Sequence, residues 1–138
     1  MGHSNRSFPS NDRELLEAID GWIEDVNMLD EGTVILVEGM KDTTALRTLG
    51  VVHPIVEVNK GRNMFDLVSD LRSEGSVNLV ILTDWDRTGG IIASRIRKAC
   101  SRLGVDYDLD RRRELSFLVG KWISCVESLP VFISHLDR

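Results

Sequence analysis

Two short apolar runs in this 138-residue chain end in carboxylates. Thr33-Val-Ile-Leu-Val runs into Glu38-Gly39, and Leu79-Val-Ile-Leu-Thr runs into Asp84-Trp85-Asp86-Arg87-Thr88-Gly89. Runs rich in β-branched residues that stop abruptly at acids and glycine read as buried parallel strands. Ligands of an open parallel sheet bind outside the carboxyl ends of its strands, so Glu38, Asp84 and Asp86 share one edge if the two strands are neighbours. Asp84 and Asp86 are two residues apart, which in an extended segment sends both side chains to one side and Trp85 to the other. Three carboxylates together suit a hard divalent cation. Magnesium fits best, because it keeps its waters and takes one or two carboxylates plus substrate phosphates, with manganese as a substitute. Two ions roughly 4 Å apart could clamp both oxygens of a phosphoryl transfer. Zinc fits poorly, since His3, His53 and His135 are scattered and no His or Cys lies near the acids in sequence. Without metal the carboxylates repel, so one of them, expected to be Glu38, has a raised pKa and can carry a proton. Gly39 is expected to turn the chain sharply, and Gly89 and Gly90 to admit backbone close to phosphate at a helix N-terminus.

The elements that must position these residues follow from periodicity. Asn11 with Glu14 resembles a helix cap with its reciprocal acid, followed by a stripe of Leu15, Ile19, Trp22 and Val26. After the strand Thr33 to Val37, a helix is expected from Asp42 or Thr43, with Ala45, Leu46 and Leu49 inward and Gly50 as its stop. A strand over Ile55 to Val58 leads into the loop Asn59-Lys60-Gly61-Arg62, and Asn63 caps a helix whose buried face is Met64, Leu67, Val68 and Leu71. The strand Leu79 to Thr83 precedes a helix from Arg87 to Leu103. That helix shows an apolar stripe of Ile92, Ile96, Ala99 and Leu103 and a basic one of Arg95, Lys98 and Arg102. Val105 to Leu109 reads as a fourth strand, Asp110 as the next cap, and the segment 111–138 as helical in two pieces broken near Gly120 and Pro130. Trp22 and Trp122 are expected in the core and Trp85 packed into the fold. Strand and helix alternate, which calls for a parallel sheet with helical crossovers.

Val37-Glu38-Gly39 with Lys41-Asp42, and Thr83-Asp84-Trp85-Asp86-Arg87-Thr88-Gly89, resemble the TOPRIM domain. That domain is shared by topoisomerases, bacterial-type primases, ribosomal RNA maturation nucleases and recombination-repair proteins. The match covers about 32–109. With Val119-Gly120-Lys121 and Val126-Glu127-Ser128-Leu129-Pro130 included, the whole sequence resembles the small stand-alone TOPRIM proteins of archaea. The resemblance implies an α/β, three-layer Rossmann-like fold with a central parallel four-stranded sheet and additional N- and C-terminal helices. It also implies a magnesium site and catalytic set of Glu38, Asp84 and Asp86. Arg87 matches the basic residue that follows the Asp-x-Asp pair in topoisomerase members, and Lys41 lies one position later than the lysine after Glu-Gly in several nuclease members. Lys41, Arg62, Arg87 and Gly89 are the candidates for contact with substrate phosphate.

Length and composition bound the function. With 42% hydrophobic and 28% charged residues, the chain is expected to form a single domain over 11–138, with a core at 32–109, a helical extension at 111–138 and a flexible tail at 1–10. No long apolar run and no leader is visible, and Cys100 and Cys125 form no framework, so a cytoplasmic protein without membrane contact is expected. The net charge of −5 excludes a globally basic surface, so nucleic-acid contact has to come from local clusters or from a protein partner. Tyr107, the one tyrosine, has no DNA-gating region around it, which argues against topoisomerase activity. The expected function is phosphodiester cleavage or nucleotidyl transfer on nucleic acid, cleavage being favoured over primer synthesis. The alternative is a non-catalytic module binding magnesium and a nucleotide or nucleic acid within a larger complex.

Overall fold

The computed structural model describes residues 8–58 and 61–136. In chain order the elements are α1 (Asp12–Asn27), β1 (Thr33–Val37), α2 (Met40–Thr48), β2 (Ile55–Glu57), α3 (Met64–Ser73), β3 (Asn78–Ile81), α4 (Arg87–Leu103), β4 (Asp106–Asp108), α5 (Asp110–Val119) and α6 (Leu129–Ser134), with a 3-10 turn at Val126–Ser128. The four strands form one sheet in the order β2-β1-β3-β4, and every pairing is parallel. The expected α/β architecture with a central four-stranded parallel sheet is what the chain adopts.

Alternate residues of the two central strands feed separate cores, as the period of two in a strand requires. Ile35, Val37, Val80 and Leu82 pack under α1, α2, α5 and α6, whereas Val34, Leu36, Leu79 and Ile81 pack under α3 and α4. Both faces are covered, which explains why β1 is buried at every position. The stripe Leu15, Ile19, Trp22 and Val26 of α1 is buried as its spacing predicts. Burying side chains of this size stabilises the fold by about 1.5–3 kcal/mol each.

Local chemistry moves several boundaries. The α2 helix begins at Met40, earlier than expected, because the Asp42 carboxylate accepts from Gly39 N–H at 3.0 Å and closes the first turn there. Asn11 caps α1 through Glu14 N–H, but the Glu14 carboxylate reaches back to Ser10 rather than to Asn11. Asn63 caps α3 as predicted. At α5 it is Asp108 that accepts from Arg111 N–H, while Asp110 lies inside the first turn and pairs with Arg113. Pro130 sits in the first turn of α6, where a missing N–H costs nothing, so it starts a helix instead of breaking one. Of the expected tail, residues 1–7 lie outside the described residues. Its described end is packed, with the Phe8 ring 5.7 Å from Phe117 and 5.9 Å from Trp122. Trp122, expected in the core, is 50% exposed and stacks between Phe8 and Phe132. No described helix is long and apolar enough to cross a membrane.

Candidate metal centre

The strand order reverses direction between β1 and β3, since β1 is followed by β2 on one side and β3 lies on the other. This is the switch point at which loops separate and leave a crevice. Glu38 and Asp84 stand on its two sides. The parallel ladder ends with Leu82 N–H donating to Leu36 C=O at 2.9 Å. The next rung in register, from Asp84 N–H, is taken at 2.8 Å by the Glu38 carboxylate instead of a backbone carbonyl. That exchange stops β3 at Ile81, short of the predicted Thr83, and fixes the first acid against the second.

Asp84 and Asp86 do not share an extended strand. The Asp84 Oδ1 accepts from Val126 N–H at 2.9 Å, in the 3-10 turn, and Asp86 is the N-cap of α4, its Oδ1 accepting from Gly89 N–H at 2.7 Å. Trp85 points away as expected. Its indole N–H donates to Ile123 C=O at 2.7 Å, its backbone N–H to Ser124 C=O, and its ring packs on the core under α1. Each of the three acids thus spends one oxygen on a backbone N–H and keeps the other.

Two residues join this set that spacing alone did not single out. Asp42, buried at 5% exposure, faces the cluster from the first turn of α2, and burial together with the charge of Glu127 pushes its carboxyl up. Arg112, the middle residue of the run Arg111-Arg112-Arg113, donates from Nε to Thr83 C=O at 2.9 Å and from a terminal nitrogen to Asp84 C=O at 2.7 Å. Its guanidinium pKa is lowered by burial, against the raising influence of Asp84, Glu38 and Asp86. A fork that binds two successive carbonyls is an arginine property which lysine cannot supply. The signal available in the sequence was a single arginine among three, and nothing in that run marks which one turns inward.

A raised carboxyl stands at Asp84. Burial pushes Asp84 up to about 6, opposed by the Val126 hydrogen bond and reinforced by the charges of Glu38, Asp42 and Asp86. Glycine roles also sort differently. Gly39 is extended and a side chain there would meet open space, whereas any Cβ at Gly89 would overlap the Asp84 carbonyl oxygen. Gly89 therefore lets α4 close on the Asp84 peptide, and Thr83 Oγ1 locks the approach by donating to Gly89 C=O at 2.7 Å. A Cβ at Gly90 would make ordinary contact with the Arg112 side chain.

Of the other candidates, Lys41 is exposed in the first turn of α2, Arg87 is exposed at the start of α4, and Arg62 pairs with Asp70 on α3, outside the cluster. Lys60 lies outside the described residues. Cys100 is buried and its thiol pushed up to about 11 by that burial, which makes it a packing residue.

The donor set is all oxygen, partly buried and mutually repelling, and a hard cation would relieve that repulsion. Glu38, Asp84 and Asp86 could hold magnesium through their uncommitted oxygens. Among the described residues no three carboxylate, imidazole or thiol groups converge on one point. An ion that keeps most of its waters does not require such a cage.

Fold and site together define a parallel α/β protein with an acidic centre at the sheet's switch point. No family model matches the chain. It is 31% identical over 125 residues to a UPF0292 protein of Methanosarcina barkeri, covering 90% of this chain and 86% of that one. It is 32% identical over 125 residues to a UPF0292 protein of Archaeoglobus fulgidus, covering 91% and 94% respectively. The chain belongs to the UPF0292 family. A solved structure of a protein from Aquifex aeolicus superposes with a TM-score of 0.66 at 24% identity, over 87% of this chain and 99% of that one, and establishes the fold.

Proposed function

We propose that this chain is a TOPRIM-type protein that binds magnesium and acts on phosphodiester bonds of nucleic acid. The reading rests above all on the Glu38 carboxylate replacing a sheet rung to Asp84, which brings the acids of two neighbouring strand ends together where burial, reinforced by their charges, raises Asp84 to about 6. Magnesium bound there would neutralise developing charge and polarise a phosphoryl oxygen. Asp84 and Asp86 would hold the ion with the oxygens not committed to the Val126 and Gly89 N–H groups. Glu38 fixes the Asp84 peptide with one oxygen and presents the other to take a proton from an attacking hydroxyl. Arg112 fixes the Asp84 backbone carbonyl and Val126 N–H its carboxylate, so the acid is positioned before charge develops. The exposed Arg87 and Lys41 face incoming phosphate.

The test is magnesium-dependent cleavage of labelled structured RNA, single-stranded DNA and duplex DNA, beside Glu38→Gln and Asp84→Asn variants. Turnover that requires magnesium and vanishes in both variants supports the enzyme. Magnesium uptake with binding of nucleic acid but no product would assign the chain to the alternative, a module acting within a complex.

A further inference from the structure

The net charge of −5 conceals a separation of charge across the sheet. On one face α1 carries Asp12, Glu14, Glu17, Asp20, Glu24 and Asp25 against a single Arg13. On the other, α4 carries Arg87, Arg95, Arg97, Lys98 and Arg102 and no acid. These five cations belong to a chain of net −5, so the remaining residues sum to −10. A helix face that merely stays solvated in an acidic protein ordinarily mixes signs, because pairs three and four apart stabilise it and like charges at that spacing do not.

At about 100° per residue, Arg87, Arg95, Lys98 and Arg102 fall within an arc of roughly 80°. All four are exposed, and among the described residues none of them is in an ion pair. At about 1.5 Å per residue the row is roughly 22 Å long. It starts at Arg87, directly after Asp86, and so runs away from the acidic centre along a straight rigid support. Among the described residues, the one ring in contact with a cation of this row is Phe65, under the Arg102 guanidinium at 5.0 Å. Single strands are held by open aromatic faces on which bases stack, and this row offers none; it offers charge at regular spacing.

We propose that the exposed face of α4 is the docking surface for the phosphate backbone of duplex nucleic acid, which it leads to the acidic centre. The assignment of duplex as the substrate class rests on the function proposed above, but the surface can be tested without it. Docking needs no magnesium, so anisotropy of a labelled DNA or RNA duplex is followed in EDTA across a salt series. Each phosphate contact contributes about one to the slope of log affinity against log salt. The combined Arg95→Gln, Lys98→Gln and Arg102→Gln variant is expected to flatten that slope by about three and to weaken duplex binding about tenfold or more at low salt. A control that removes as much charge elsewhere, with Arg13→Gln, Arg113→Gln and Lys121→Gln, is expected to stay within about twofold. Should the triple variant melt early, Arg95→Gln and Lys98→Gln singly are each expected to remove about one from the slope. Equal losses in variant and control, an unchanged slope, or single strands bound as tightly as duplex would overturn the proposal. Loss of docking in the stripe variant, with no turnover in the parent protein, would leave this surface standing and remove the enzymatic reading. Turnover of duplex by the stripe variant with an unchanged KM would do the reverse.

Discussion

The two strand ends that build the acidic centre are held very differently. Glu38 leaves β1 and enters α2 within two residues, its neighbour Gly39 fixed by the Asp42 carboxylate from the same helix, so this end is closed by local sequence. The segment 83–86 is pinned by distant groups: Arg112 on two carbonyls, Ile123 and Ser124 on Trp85, Val126 on the Asp84 carboxylate and Gly89 against its peptide. The β1 end is a turn, whereas the β3 end is a keystone between α4 and the C-terminal segment. Residues 110–136 thus form a wall of the centre, and damage there is expected to reach the acids although most of those residues lie outside the sheet.

Glycine substitution separates the two ends most sharply. Gly89→Ala drives a methyl into the Asp84 carbonyl and is expected to cost about 3 kcal/mol, read by urea unfolding. Gly39→Ala, which meets open space in an extended backbone, is expected to stay within about 1 kcal/mol. Equal costs would erase the distinction between turn and keystone.

Arg112→Met comes next. It leaves the carbonyls of Thr83 and Asp84 without their donor and is expected to cost about 2–3 kcal/mol. Magnesium affinity then distinguishes two roles of opposite sign. If Arg112 acted only as a counter-charge, its removal would tighten cation binding; as the group that positions Asp84, its removal weakens it. Calorimetric titration of the folded variant is expected to show weakening.

Asp84→Asn removes a carboxylate that is costly to ionise, while an amide oxygen can still accept from Val126 N–H. A shift of about two units at full burial corresponds to ~3 kcal/mol, and solvent screening of this half-buried group reduces the gain to about 1–2 kcal/mol. The variant is therefore expected to melt higher than the parent while losing magnesium, a trade of stability against function.

The same shift fixes a pH dependence. Asp84 is raised from 3.8 to about 6, so between these values the folded protein binds the proton and the unfolded chain does not. Metal-free stability is then greatest at the acid end of that window and falls as pH rises through it. Magnesium uptake runs the other way, needing the carboxylate, and apparent affinity is expected to drop about tenfold per unit below about pH 6. The smallest effect is expected for Lys41→Ala and Arg62→Ala, both exposed side chains, each within about 0.5 kcal/mol in thermal unfolding.

The contrast between the ends also explains what the sequence makes legible. An apolar run closing on an acid is a local signal, so β1, β3 and the meeting of Glu38 with Asp84 across adjacent strands were legible, as was the buried stripe of α1. The start of α2 precedes the expected Asp42 because Asp42 is the acid that closes the turn behind it. The spacing of Asp84 and Asp86 suggests strand neighbours on one side. Instead the Glu38 carboxylate ends the ladder early, and Asp86 turns to cap α4. Arg112 reaches the site across 28 residues of chain, a contact set by how α5 packs and carried by no local pattern.

Magnesium titration of the parent protein and of Asp84→Asn, at neutral pH and with the fold of each verified by melting, tests the centre most directly. The account predicts saturable uptake by the parent and none by a variant that melts at higher temperature. Uptake that survives Asp84→Asn, or a folded parent that takes up no magnesium, would contradict it.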